Sequence, residues 1–219
     1  MCVARWKQHT KRSSWRPEFR ADAASFCAGL DIARAIGSPH FEAMAWFVRS
    51  LLAIRANDLL LARQSLDSAF AMAGERGMYF SGPQLYGTLA RLETDLVARW
   101  QSLNKGETLL AEGHLSLNYC AFHDAAIQVS LNCVEWDEAE RCCGLLETYA
   151  APELFPWPDV VVARGRAIGQ VGRGKTGPAL AATLQALRQQ ALDAEDQLHL
   201  QGLEEPLRQL SPGVGGDGL

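Results

Sequence analysis

A chain of 219 residues with 48% hydrophobic and 21% charged content has enough apolar material for one buried core or one compact repeat array. Aromatic residues reach only 8% while Ala and Leu are abundant, which favours helices over a β-rich fold. The formal net charge of −4 hides an asymmetry: residues 1–17 hold five basic residues and no acid, so the remainder carries 16 basic against 25 acidic residues, and such an acidic body excludes nucleic acid as the main partner.

The opening MCVARWKQHTKRSSWRP has no apolar run after its positive charges and so is not a secretory signal. It is poor in acids and rich in Arg and Ser, as organelle transit peptides are. Residues 1–18 are read as a disordered basic leader, or the start of a truncated chain. No run of 18 apolar residues occurs, so no membrane span is expected. From there apolar residues recur at helical spacing, broken by short Gly, Pro, Asn or Asp turns. A first helix runs from about Arg20 to Ile36 and stops at Gly37-Ser38. The second follows Pro39 and carries Phe41, Met44, Phe47, Val48, Leu51 and Ile54. Asn57-Asp58 turns the chain into a third, with Asp58 as N-cap. Ser81-Gly82-Pro83 opens a fourth, and Thr94 or Asp95 caps a fifth. The sixth covers HLSLNYCAFHDAAIQVSLNCV and the seventh DEAERCCGLLETYA. After Pro152, Pro156 and Pro158 come DVVVARGRAIGQV, a glycine-rich turn and PALAATLQALRQQALDAEDQ. Residues 19–194 thus form the helical domain, and the polar stretch 195–219 is expected to be a flexible tail.

Short connections make helical hairpins, and the hairpins repeat weakly. Ala62, Ala139 and Gly177 begin second helices. Five residues earlier stand the turns at Asn57, Val134 and Gly172, and twelve earlier stand Ser50, Ile127 and Gly165, where helices must approach closely and Ile127 breaks the small-residue rule. Leu66 and Ala69, Cys143 and Leu146, and Ala181 and Leu184 follow each anchor at four and seven residues. This spacing follows the logic of a tetratricopeptide hairpin, so the expected fold is an all-α, tetratricopeptide-like superhelix of about four antiparallel hairpins.

The run LNYCAFHDAAIQVSLNCVEWDEAERCCGLLETYAAPELFPWPDVVVARGRAIGQVGRG resembles the carboxy-terminal repeats of large bacterial signalling proteins. In those proteins an adenylate-cyclase or similar output domain precedes an ATP-binding module and tetratricopeptide-like repeats. The resemblance covers about residues 24–192. It implies a regulatory segment that senses a partner or ligand without catalysis of its own. Nothing in this chain resembles the cyclase or the ATP-binding module.

The stretch GQVGRGKT, residues 169–176, spells the G-x-x-x-x-G-K-T of a phosphate-binding loop, with Gly174, Lys175 and Thr176 as its cofactor-binding residues. That chemistry needs a parallel sheet and a later strand ending in Asp, and only 43 residues follow Thr176. Gly172, Gly174 and Gly177 are instead explained by a helix end, a tight turn and a close helix crossing. No cofactor is expected on this reading; a degenerate nucleotide-binding fragment is its alternative. The six cysteines lack the spacing of a disulfide framework and suit a reducing cytoplasm. Cys120, His123, Cys133 and the Cys142–Cys143 pair lie on helix faces among apolar neighbours, so helical packing is preferred to a metal site. No nucleophile motif or metal-protease motif occurs, and no enzyme activity is expected.

The expected functional surface is the concave face of stacked hairpins, taking a peptide or partner helix, or another domain of a larger signalling protein. Its polar residues would be Gln84, Thr88, Arg91, Asn118, His123, Asp124, Gln128, Asp159 and Arg166. Met44, Phe47, Leu51 and Ile54 would give it an apolar end, or else pack on the first helix. A receptor for a small effector is a further alternative.

Overall fold

The computed structural model describes residues 17–113, 116–152, 156–194 and 196–210. The leader up to residue 16 and the last nine residues lie outside them. Among the described residues the chain is all-helical, with no strand: α1 (Pro17–Ala35), α2 (Pro39–Arg55), α3 (Leu59–Leu92), α4 (Leu96–Ala111), α5 (Ser116–Asn132), α6 (Trp136–Ala150), α7 (Pro156–Gly172), α8 (Pro178–Asp193) and α9 (Gln197–Leu210). None of these is long and apolar enough to cross a membrane. The chain forms two compact units, divided in sequence between Phe122 and His123 within α5.

Four helix ends are built alike, and they explain where the chain turns. At each, one residue takes a left-handed conformation: Gly37 (φ 66°), Asn57 (φ 57°), Val134 (φ 64°) and Gly174 (φ 79°). The amide of the next residue reaches back five positions: Ser38 to Ala33, Asp58 to Ala53, Glu135 to Ser130 and Lys175 to Gln170, at 2.9–3.0 Å. This pairing satisfies carbonyls that a helix end would otherwise leave open. Asp58 and Asp95 then cap the next helices, accepting from the amides of Leu61 and Ala98 at 3.0 and 2.8 Å.

In the first unit α2 packs on α3 around Ala43, Phe47, Leu66, Ala69, Ala73 and Leu85. Phe26 of α1 meets Trp46 at a ring separation of 5.4 Å, and the Arg49 guanidinium stacks over both rings. α3 joins the third and fourth sequence-predicted helices across a kink. Its break falls at Gly74 (φ 54°, ψ −170°), and the helix runs straight through Ser81, Gly82 and Pro83. Proline costs the helix one backbone hydrogen bond. Gly82 lies where a Cβ would come 2.7 Å from Leu109 of α4, so close packing holds this turn helical. Gly106 serves α4 in the same way, since a Cβ there would sit 2.2 Å from the Phe122 ring.

In the second unit α6 and α7 pack closely, with α5 against α7. A Cβ on Gly165 would meet Cys143 Sγ and Ile127 Cγ2 at 2.8 Å, so the small residue expected at a helix crossing is required there. Gly172 faces Trp136, at 2.4 Å from a would-be Cβ. Ala167, Val171, Leu184, Leu187 and Leu203 form a core from α7, α8 and α9. Residues 197–210, inside the expected tail, are therefore a packed helix. Leu203, Leu207 and Leu210 recur at helical spacing and place an apolar edge on α7 and α8.

Candidate functional site

The polar residues expected to line a groove separate into two groups. Gln84, Thr88, Asn118, His123 and Asp124 are buried. Gln84 Nε2 points to Met44 Sδ at 3.7 Å, and Asn118 Nδ2 donates to the Phe80 carbonyl at 2.6 Å. Side chains so enclosed hold helices together and offer a partner no surface. Arg91, Gln128 and Arg166 are half-buried and Asp159 is exposed. Arg166 is engaged by Glu140 at 2.9 Å and by both oxygens of Glu147 at 2.8 and 2.9 Å. These hydrogen bonds lower the Glu147 carboxyl and raise the Arg166 guanidinium from their usual ranges.

The GQVGRGKT stretch is a helix corner. Gly169 is buried inside α7, Gly172 ends that helix against Trp136, and Gly174 is its left-handed cap. Lys175 and Thr176 are exposed, and Gly177 (φ 143°) precedes Pro178 at the first turn of α8. A helix rather than a strand feeds the loop, so the strand–loop–helix context of a phosphate site is missing at this point.

Cys120, Cys142 and Cys143 are buried, and Cys143 is pushed up to about 12 by burial and the nearby Glu140 charge, which keeps it a protonated, unreactive thiol. Among the described residues no three His, Cys, Asp or Glu side chains are grouped as ligands of a metal ion would be.

A surface site lies in the first unit, between α1 and α2. It is an apolar groove of about 560 Å³ whose walls include Phe26, Ile32, Ile36, Phe41, Met44 and Val48. Ile32 is 62% exposed, Ile36 61%, Phe41 55% and Val48 42%. The cause is legible in α2, which is apolar on two faces. Ala43, Phe47 and Ser50 turn inward and are buried, while Phe41, Met44, Val48 and Leu52 follow one another at helical spacing along the groove. Of the four residues expected at the apolar end, Met44 lines the groove while Phe47 belongs to the core and Leu51 packs against it.

A second constellation lies inside the second unit and centres on two residues the sequence did not single out. Arg164 is 1% exposed. It donates to Asp124 Oδ1 and Gln128 Oε1, both at 2.8 Å. His199 sets Nε2 3.0 Å from the same Asp124 oxygen and Nδ1 against Asp196 Oδ2. Arg164 could have been suspected, because it shares the inward face of α7 with Val161 and Gly165. Nothing along the sequence marks His199, which meets Asp124 across 75 residues. Comparison with protein-family models, with curated proteins and with solved structures finds no match for this chain.

Proposed function

We propose that the chain is a non-catalytic interaction module, built of tetratricopeptide-like hairpins, that takes an amphipathic partner helix in the α1–α2 groove. The observation that carries this reading is the contiguous run of exposed Ile32, Ile36, Phe41 and Val48 around that groove. Soluble proteins seldom leave such a patch uncovered unless something docks there. Two parallel apolar ridges suit a helix that presents residues at i, i+3, i+4 and i+7. On this reading the partner is another protein, or another domain of a larger cytoplasmic signalling protein; the acidic body speaks against nucleic acid.

Selection from a displayed library of amphipathic helical peptides, followed by calorimetric titration of the full chain, tests it. Saturable binding that is lost in Ile36→Asp and Val48→Asp variants of unchanged helicity is the expected result. Peptides that bind the variants as tightly as the parent would remove the groove from consideration. The groove volume also falls within the roughly 300–1,000 Å³ of small-molecule sites, which favours an apolar effector as the second reading. In that case small apolar compounds, not peptides, raise the melting temperature.

A further inference from the structure

The cluster around His199 joins three helices of the second unit, and its hydrogen-bond inventory is unusual. Both ring nitrogens of His199 face carboxylate oxygens, Nε2 that of Asp124 on α5 and Nδ1 that of Asp196 just before α9. A carboxylate only accepts, so both nitrogens must donate, and only the doubly protonated imidazolium does that. The charges agree. Arg164 and protonated His199 balance Asp124 and Asp196, whereas neutral His199 leaves one negative charge in excess in a partly buried cluster and one nitrogen lone pair against a carboxylate. Gln128 on α5 adds a neutral acceptor for Arg164. From α8, also packed against α9, Arg188 engages Glu204 at 2.8 Å, a pair on α9's exposed side.

We propose that this cluster is a proton-operated latch: protonated His199 fastens α9 to α5 and α7, and loss of its proton loosens the helix. Loosening uncovers the apolar core that Leu203 shares with Ala167, Val171, Leu184 and Leu187. Burial works against the charge on His199, but Asp124 and Asp196 outweigh it and hold the imidazole above the ordinary histidine value. The sign follows from linkage. A raised folded-state pKa means the latch is fully set below the free histidine value of about 6.5 and weakens as pH rises through the folded pKa.

Hydrogen exchange of the full chain between pH 6 and 9, corrected for intrinsic rates, is the test. Protection of α9 amides should fall by up to about tenfold per pH unit above about 6.5 and then level off, while α6 amides keep theirs. His199→Gln should show low α9 protection without this pH dependence. Flat α9 protection in the parent chain, or the same fall in His199→Gln, would overturn the latch. Should the variant not fold, the His199 ring resonance in the parent chain decides instead. Titration above the free histidine value supports the latch, and titration at or below it overturns it.

Discussion

The first hairpin and the last helix solve opposite problems. The α1–α2 hairpin leaves apolar side chains in water, with Ile32 and Ile36 more than half exposed. The α9 region buries charged ones, with Arg164 and His199 almost fully enclosed. Each arrangement is costly unless compensated. Exposed apolar area is relieved by covering it, and buried charge by pairing it. The compensation for α9 is already inside the molecule, in Asp124, Asp196 and Gln128. For the hairpin nothing among the described residues fills the groove, and that contrast motivates reading the hairpin as a docking surface and α9 as a conformational element.

The contrast can be broken most severely from its charged side. Asp124→Ala removes the shared acceptor of Arg164 and His199 and leaves the buried Arg164 guanidinium facing the neutral Gln128. A loss of about 3–5 kcal/mol is expected, read as a lower denaturation midpoint of the second unit. A loss below about 1 kcal/mol would mean that the cluster opens to water. Next come the helix crossings, which are tight in both units and tighter at Gly106 than at Gly165. Gly106→Ala and Gly165→Ala each force a methyl group into an occupied position, costing about 1–3 kcal/mol in chemical denaturation. Smaller still is Gly174→Ala, which holds an L-residue at φ 79° and should cost about 1 kcal/mol. At the exposed end, Ile36→Asp, Val48→Asp and Lys175→Ala should each change stability by no more than about 0.5 kcal/mol. The first two should abolish helix binding. The third should leave a Mg-ATP titration as featureless as that of the parent chain, because Lys175 caps a helix corner and faces no phosphate cradle. Saturable ATP binding lost in Lys175→Ala would reverse that reading of GQVGRGKT.

Much of the fold was written locally. Gly37, Asn57 and the Gly172–Gly174 stretch marked corners because few residues other than Gly and Asn tolerate a left-handed backbone. Val134 was found only through its repeat spacing from Asn57, and it adopts the same conformation despite its branched side chain. Asp58 announced a helix start through the chemistry of its side chain, and of the two candidates Thr94 and Asp95 the structure makes Asp95 the cap. Gly165 stood where the repeat demands a small residue, and the crossing of α5, α6 and α7 there has no room for a methyl group. Pro83 misled because a helix pressed on its neighbour tolerates one missing hydrogen bond, and the break moved to Gly74.

What the sequence by itself determined about this protein is therefore most of its helices, though not the last, most of its corners and the close-contact Gly165, since each depends on residues within a turn or two along the chain. Only the tertiary structure decided which polar side chains went inside. Helical period says that Arg164 and Asp124 lie on particular faces, but not which face meets which. Their pairing across 40 residues, and that of Asp124 with His199 across 75, arises only when α5, α7 and α9 pack together. The two apolar faces of α2 were likewise visible as a pattern, and packing alone chose Phe47 for the core and left Phe41 and Val48 in solvent.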